Sequence, residues 1–67
     1  MKLRCFKEAV QKAESMKYEP LREIWIDALD VSILKPVGAD CTEIITKGGN
    51  KVVVIGKLAD VKSEVSV

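Results

Sequence analysis

A chain of 67 residues with 31 % charged and 48 % apolar residues has the composition of one small globular domain and not of a disordered segment. The length excludes multidomain enzymes, solenoids of three or more repeats and doubly wound nucleotide-binding folds, which all need more chain. The net charge of +1, without any basic run, lowers the expectation of broad nucleic-acid binding.

The choice of polar residues is biased. Lysine supplies nine of the eleven basic residues, glutamate supplies six of the ten acidic ones, and histidine is absent. Enrichment in lysine and glutamate with few amides is the bias reported for hyperthermophile proteins. The composition therefore predicts a melting midpoint above the ordinary mesophilic range.

The two cysteines, Cys5 and Cys41, admit two interpretations. They are too few for a tetrahedral zinc site in a chain without histidine. As free thiols they would act as small buried hydrophobes. As a disulfide they would tie the first element to the start of a strand, which is unusual inside cells except in hyperthermophiles.

The first segment, about residues 2–18, is predicted to be an amphipathic helix. Its apolar residues recur three and four positions apart, at a period near 3.6; they are Leu3, Phe6, Ala9, Val10, Ala13 and Met16. Nearly all residues of this segment are strong helix formers. Pro20 cannot continue a preceding helix, so the helix is expected to end before it.

Residues 20–35 are ambiguous between strand and helix. As a helix, Pro20 would occupy the first turn, and Glu23, Asp27 and Asp30 would lie opposite an apolar stripe. As a strand, the segment has β-favouring residues on either side of a change of phase near Asp27 and Ala28, which a bulge could supply. Both interpretations stay open at this point.

From Pro36 the pattern predicts β-structure. Residues 36–40 are typical of a turn, and residues 41–58 of a β-hairpin closed by Gly48, Gly49 and Asn50. The uninterrupted apolar run 52–55 is expected to form a central strand. Alternating polar and apolar residues over 60–67 predict a final strand.

The predicted fold is therefore α+β: one N-terminal amphipathic helix packed on a mostly antiparallel sheet of three to four strands. If residues 20–30 are helical, the alternative is two helices followed by a hairpin, which resembles a winged helix. In either case residues 1–67 form a single domain.

The sequence gives little indication of a catalytic or ligand-binding site. Without histidine or a nucleophile–base arrangement, no enzymatic role, catalytic residue, cofactor or metal is expected. The glycine turn is the best candidate for an anion or nucleic-acid contact, because backbone amides and flanking lysines can hold a phosphate; it comprises Lys47, Gly48, Gly49 and Lys51. Trp25 is interpreted as a core residue or as an anchor in a partner's pocket.

The function that these features favour is a small non-enzymatic protein-interaction module, with self-association as one form of it. It would make contact through a sheet edge or an apolar face. The alternative is a small nucleic-acid-binding or regulatory domain, which would use the lysines of the C-terminal half, namely Lys35, Lys47, Lys51, Lys57 and Lys62. No stretch is long and apolar enough for a membrane span or a secretory signal, so a cytoplasmic protein is expected.

Overall fold

A computed structural model describes residues 1–66 and shows a five-stranded antiparallel sheet with one C-terminal helix. The elements are β1 (Leu3–Gln11), β2 (Tyr18–Asp27), a 3₁₀ turn (Ala28–Asp30), β3 (Val31–Val37), β4 (Cys41–Thr46), β5 (Lys51–Ile55) and α1 (Leu58–Val65). The predicted fold class is wrong in both of its forms. Neither the helix over 2–18 on a smaller sheet nor the pair of N-terminal helices is present.

The strands lie in the order β2-β1-β5-β4-β3, and each neighbouring pair is antiparallel. One row of cross-strand neighbours consists of Arg22, Glu8, Val54, Thr42 and Pro36. We call the face that carries this row the inner face, because its central residues belong to the core beneath α1. The opposite face is the outer face.

The predicted N-terminal helix is instead β1, a turn and the first part of β2. In a strand, residues three apart point to opposite faces, and this explains the misleading pattern: Phe6 and Ala9 are both buried, but on different faces of β1. The turn that follows closes with hydrogen bonds between Lys12 and Lys17 and between Met16 and Lys12. Met16 adopts a positive φ of 58° there. Sheet packing has overridden helix propensity, which is a weak preference.

Residues 20–35 form two strands joined by the 3₁₀ turn. The change of phase in the sequence coincides with this turn, where Asp27 caps Leu29 N with its side chain. Pro20 is accommodated in β2 because β2 is an edge strand, and it lies beside a bulge at which Leu21 has no partner in β1. Edges and bulges are the places where a strand tolerates proline.

The predicted hairpin is confirmed as β4 and β5, which pair from Cys41 with Ile55 to Ile45 with Lys51. β5 is the central strand of the five. Gly49 takes a φ of 88° in the connecting turn, which explains the need for glycine there. The hairpin supplies the deepest part of the core, since Ile44 and Val54 are completely buried.

The predicted final strand over 60–67 is wrong, because residues 58–65 form α1; Val67 lies outside the described residues. Val61 and Val65 alternate with polar residues, but four-residue spacing also places them on one helix face. Val61 is buried in the core cluster and Val65 packs against it. The Arg4 Nε donates to the carbonyl of Glu64 at 3.0 Å and ties the helix end to β1.

Candidate functional site

The candidate site lies on the edge strand β2, which carries the exposed side chain of Trp25. Within residues 1–66, β2 pairs with β1 and with no other strand. An edge strand presents alternate backbone amide and carbonyl groups that a further strand can bind. Trp25 lies on β2 with 63 % of its surface exposed. It is therefore neither a core residue nor covered by another part of the described chain.

The outer face around Trp25 combines an apolar centre with acidic flanks. Cys5 lies directly opposite Trp25 on β1, and the neighbouring Leu3 is also exposed. Glu23 and Asp27 share the outer face of β2, two residues before and after Trp25. The site is thus an aromatic side chain between two carboxylates on a free sheet edge.

A shallow cavity of about 320 Å³ opens beside the β2 bulge. It is lined by Lys7, Pro20, Leu21, Arg22 and Glu23. The bulge creates this hollow because the extra residue locally interrupts the pleat. Glu23 connects this hollow to the outer-face site, because it lines the hollow and lies two residues before Trp25 on the same face.

The other two charged residues of β2, Glu19 and Arg22, form ion pairs within the hairpin. The Arg22 Nε donates to Glu8 Oε1 at 2.7 Å, and the Lys12 Nζ lies 3.2 Å from Glu19 Oε2. These exposed pairs contribute little stability, but they orient the charged side chains of the hairpin. Glu23 and Asp27, the other acidic groups of β2, form no ion pair within residues 1–66.

Asp27 is held in place by two backbone amides. Lys2 N and Leu29 N each donate to its Oδ1 at 3.0 Å. These bonds, from Lys2 first and then Leu29, lower the pKa of Asp27 below its usual value, because they favour the ionised carboxylate. Both amides use Oδ1, and the ammonium groups of the Met1 N-terminus and Lys47 also lower the pKa of Asp27.

We expect Asp27 to make the fold sensitive to acid. A carboxylate whose pKa is lowered on folding stabilises the protein above its ordinary pKa of about 4 and loses this effect as the pH falls through the lower folded value. Asp27→Asn should therefore flatten the fall of the urea midpoint between neutral pH and about pH 3. Identical pH profiles for the variant and the natural protein would exclude this role of Asp27.

The glycine turn does not present a free set of amides. Lys47 N donates to Asp30 O, Gly49 N to Thr46 O, and Asn50 N to the Thr46 hydroxyl oxygen. An anion at Lys47, Gly48, Gly49 and Lys51 would therefore depend mainly on the lysine ammonium groups. The anion contact stays a prediction, and the local hydrogen bonds do not strengthen it.

The five lysines of the nucleic-acid alternative lie on different parts of the fold. Lys35 and Lys51 belong to β3 and β5, Lys47 to the glycine turn, and Lys57 and Lys62 to the start and the last turn of α1. The first two lie on the outer face, whereas α1 covers the inner face. The structure therefore does not bring them together in one basic patch.

Cys5 and Cys41 are present as free thiols, the first exposed and the second buried. The Cys5 Sγ donates to Glu23 Oε2 at 3.6 Å. Partial desolvation, followed by the carboxylate of Glu23, raises the pKa of Cys5. Burial and the nearby Asp40 raise the pKa of Cys41. Neither thiol has the lowered pKa of a reactive cysteine.

We expect an alkylating reagent to modify Cys5 in the folded protein and Cys41 only after unfolding, because access limits the buried thiol. Glu23→Gln should speed up the modification of Cys5 near neutral pH by removing the charge that disfavours the thiolate. Mass spectrometry of the alkylated, unreduced protein checks both points. Absence of any reactive thiol, even in denaturant, would instead indicate the disulfide.

Across residues 1–66, no group of three or more His, Cys, Asp or Glu side chains is placed to hold a metal ion. None of the helices described is long and apolar enough to cross a membrane. No family model, curated protein or solved structure matches the chain.

The sequence predicted contact through a sheet edge or an apolar face and offered Trp25 as a partner's anchor, but it did not place Trp25 on an edge strand. The available signal was the alternation of Glu23, Trp25 and Asp27 after Pro20. Proline is confined to sheet edges when it occurs within a strand. A strand interpretation of residues 20–27 thus predicts an edge, with tryptophan and both carboxylates on one of its faces.

Proposed function

We propose that this protein is a non-enzymatic interaction module of the cytoplasm that binds an extended segment of a partner protein along β2. Strand addition of this kind uses main-chain hydrogen bonds for affinity and alternate side chains for specificity. The observation that carries the proposal is the exposure of Trp25 on a strand with one free edge.

The carboxylates on either side of Trp25 indicate which residues a bound segment should carry. A residue beside Trp25 should be apolar, since tryptophan is a preferred anchor of interfaces. Residues two positions away in the bound strand would lie beside Glu23 and Asp27, so a lysine or arginine fits there. The proposed recognition pattern is basic, any, apolar, any, basic in an extended conformation.

Trp25 is the only tryptophan of the chain, so its fluorescence reports on this site alone. We expect the capped peptide Thr-Lys-Thr-Val-Thr-Lys-Thr to shift the emission to shorter wavelength as the indole loses contact with water. The matched peptide with glutamate in place of both lysines should cause no shift. Equal responses to both peptides would exclude recognition by charge.

The variant Trp25→Ser tests the anchor. We expect it to weaken the binding of a fluorescently labelled lysine peptide by about thirtyfold, the effect of removing a hot-spot side chain. Met16→Ser is the matched control, because Met16 is also apolar and exposed on the same hairpin but lies in its turn. Unchanged affinity in Trp25→Ser, or an equal loss in the control, would refute the proposal.

A further inference from the structure

We propose that the segment bound along β2 is β3 of a second copy of this chain, so that molecules join head to tail. This inference rests on the proposed docking edge and names its partner. Ile33 of the second copy would lie beside Trp25, and its Lys35 beside Asp27. An isologous pairing of two β2 edges would not provide these contacts.

The topology provides the direction of this contact. β2 and β3 are the two edges of the sheet. Four antiparallel steps separate them, so both strands run in the same direction. A neighbouring molecule in the same orientation therefore presents its β3 parallel to β2, with the outer faces of the two sheets on the same side.

The side chains on that face are complementary. Arg22 of β2 and Pro36 of β3 are the two end residues of the cross-strand row on the inner face. By strand alternation, Trp25 and Asp27 on β2, and Ile33 and Lys35 on β3, all belong to the outer face. Ile33 is 45 % exposed and Lys35 is also exposed, so both are accessible.

One register satisfies the apolar position of the recognition pattern and the basic position beside Asp27. The position beside Glu23 is not matched, because Val31 occupies it in β3 and packs against the core. When Trp25 lies beside Ile33 of the next copy, Asp27 lies beside Lys35, because each pair is separated by two residues on its own strand. The Oδ2 of Asp27 can then accept from the lysine ammonium, since both amide bonds use Oδ1. An apolar contact and an opposite-charge contact therefore occur in the same alignment.

The symmetric alternative places like charges together. In an antiparallel pair of two β2 strands, a two-fold axis at Arg22 opposes two arginines, and an axis at Glu23 opposes two glutamates. If the axis passes through Trp25, Glu23 of one copy lies opposite Asp27 of the other. If it passes through Ile24, these two carboxylates are diagonal neighbours across the pair. Like charges at such positions destabilise a sheet, so the complementary contact with β3 is favoured.

The size of the contact implies weak association. It involves one short strand from each molecule, far less than the surface that a stable interface buries. Pro36 also removes one amide donor from the β3 edge. Because a head-to-tail contact leaves a free edge at each end, it does not stop at a dimer unless a ring closes.

Sedimentation equilibrium or light scattering over a wide concentration range tests the proposal. We expect the average mass to rise with concentration beyond that of a dimer. Lys35→Glu should weaken the association about fivefold, whereas Lys51→Glu, an exposed lysine on the central strand, should leave it unchanged. The melting temperatures of both variants show whether either change merely unfolds the protein.

A constant monomer mass, a plateau at the dimer mass, or equal effects of the two lysine variants would overturn the head-to-tail contact. The proposed function is tested separately, because Lys35→Glu leaves β2 intact and should still bind the lysine peptide through Trp25. A monomeric chain that binds this peptide would refute self-association and keep the docking edge. Failure of Lys35→Glu, whose β2 edge is free of β3, to bind this peptide would refute the docking edge and, with it, the head-to-tail contact.

Discussion

Ile44→Ala should leave a large fraction of the molecules unfolded at moderate temperature. Ile44 is completely buried on β4 and belongs to the core cluster with Phe6, Val54 and Val61. Replacing a buried isoleucine by alanine costs about 2–5 kcal/mol, because it removes apolar contacts and leaves a cavity. A domain of this length has a free energy of unfolding of roughly 3–10 kcal/mol, so this one change can remove most of it.

Urea unfolding followed by far-ultraviolet circular dichroism measures this effect. Ile33→Ala is the matched control, because it makes the same chemical change on β3, where the side chain is 45 % exposed. It should cost less than about 1 kcal/mol, in proportion to the smaller area withdrawn from water. Equal losses for the two variants would contradict the position of the core on the inner face.

Gly56→Ala should be the most damaging change at a glycine. Gly56 follows β5 with a φ of 142°, and a Cβ atom built on it would lie 3.1 Å from Cγ2 of the buried Val61. The conformation costs a non-glycine residue about 1–3 kcal/mol, and the close contact adds to this. Gly56 also accepts a hydrogen bond from Thr42 Oγ1 at 2.9 Å, so movement of its backbone would disturb a buried hydroxyl.

Gly48→Ala is the control for this prediction. A Cβ atom there has 4.0 Å to its nearest neighbour, Thr46 Oγ1. Alanine in a compatible turn position restricts the unfolded chain, so stability should stay equal or rise by up to about 1 kcal/mol. If thermal unfolding shows the same midpoint for Gly56→Ala as for Gly48→Ala, the described path of the chain from β5 into α1 is wrong.

The C-terminal hairpin could be predicted from the sequence because its signals are local. A run of β-branched residues beside a glycine-rich turn specifies two paired strands whatever surrounds them. The central position of β5 followed from the same run, since it has no polar residue to face solvent. These features needed no knowledge of the rest of the chain.

The N-terminal half could not be predicted in this way because its apolar spacing depends on both faces of the sheet. Phe6 and Ala9 imitate one helical stripe although they are buried on opposite sides of β1. In α1, Val61 and Val65 imitate a strand although they share a helix face. Local spacing cannot distinguish these cases, and tertiary packing decides between them.

The candidate site was hidden by the same ambiguity. Trp25 lies among isoleucines in the sequence, and apolar neighbours favour a core position for it. Its exposure follows only from the position of β2 at the sheet edge. The lysines around the glycine turn formed a more visible pattern, but the amides of that turn are largely engaged within the fold.

Hydrogen–deuterium exchange along the chain, with and without the lysine peptide, tests the proposed docking edge most directly. A strand added to β2 would bind its outward amides, so we expect slower exchange over residues 22–27 in the presence of the peptide. The glutamate peptide should leave these amides unchanged. Protection at the glycine turn over residues 47–51, or no protection along β2, would refute strand addition at β2.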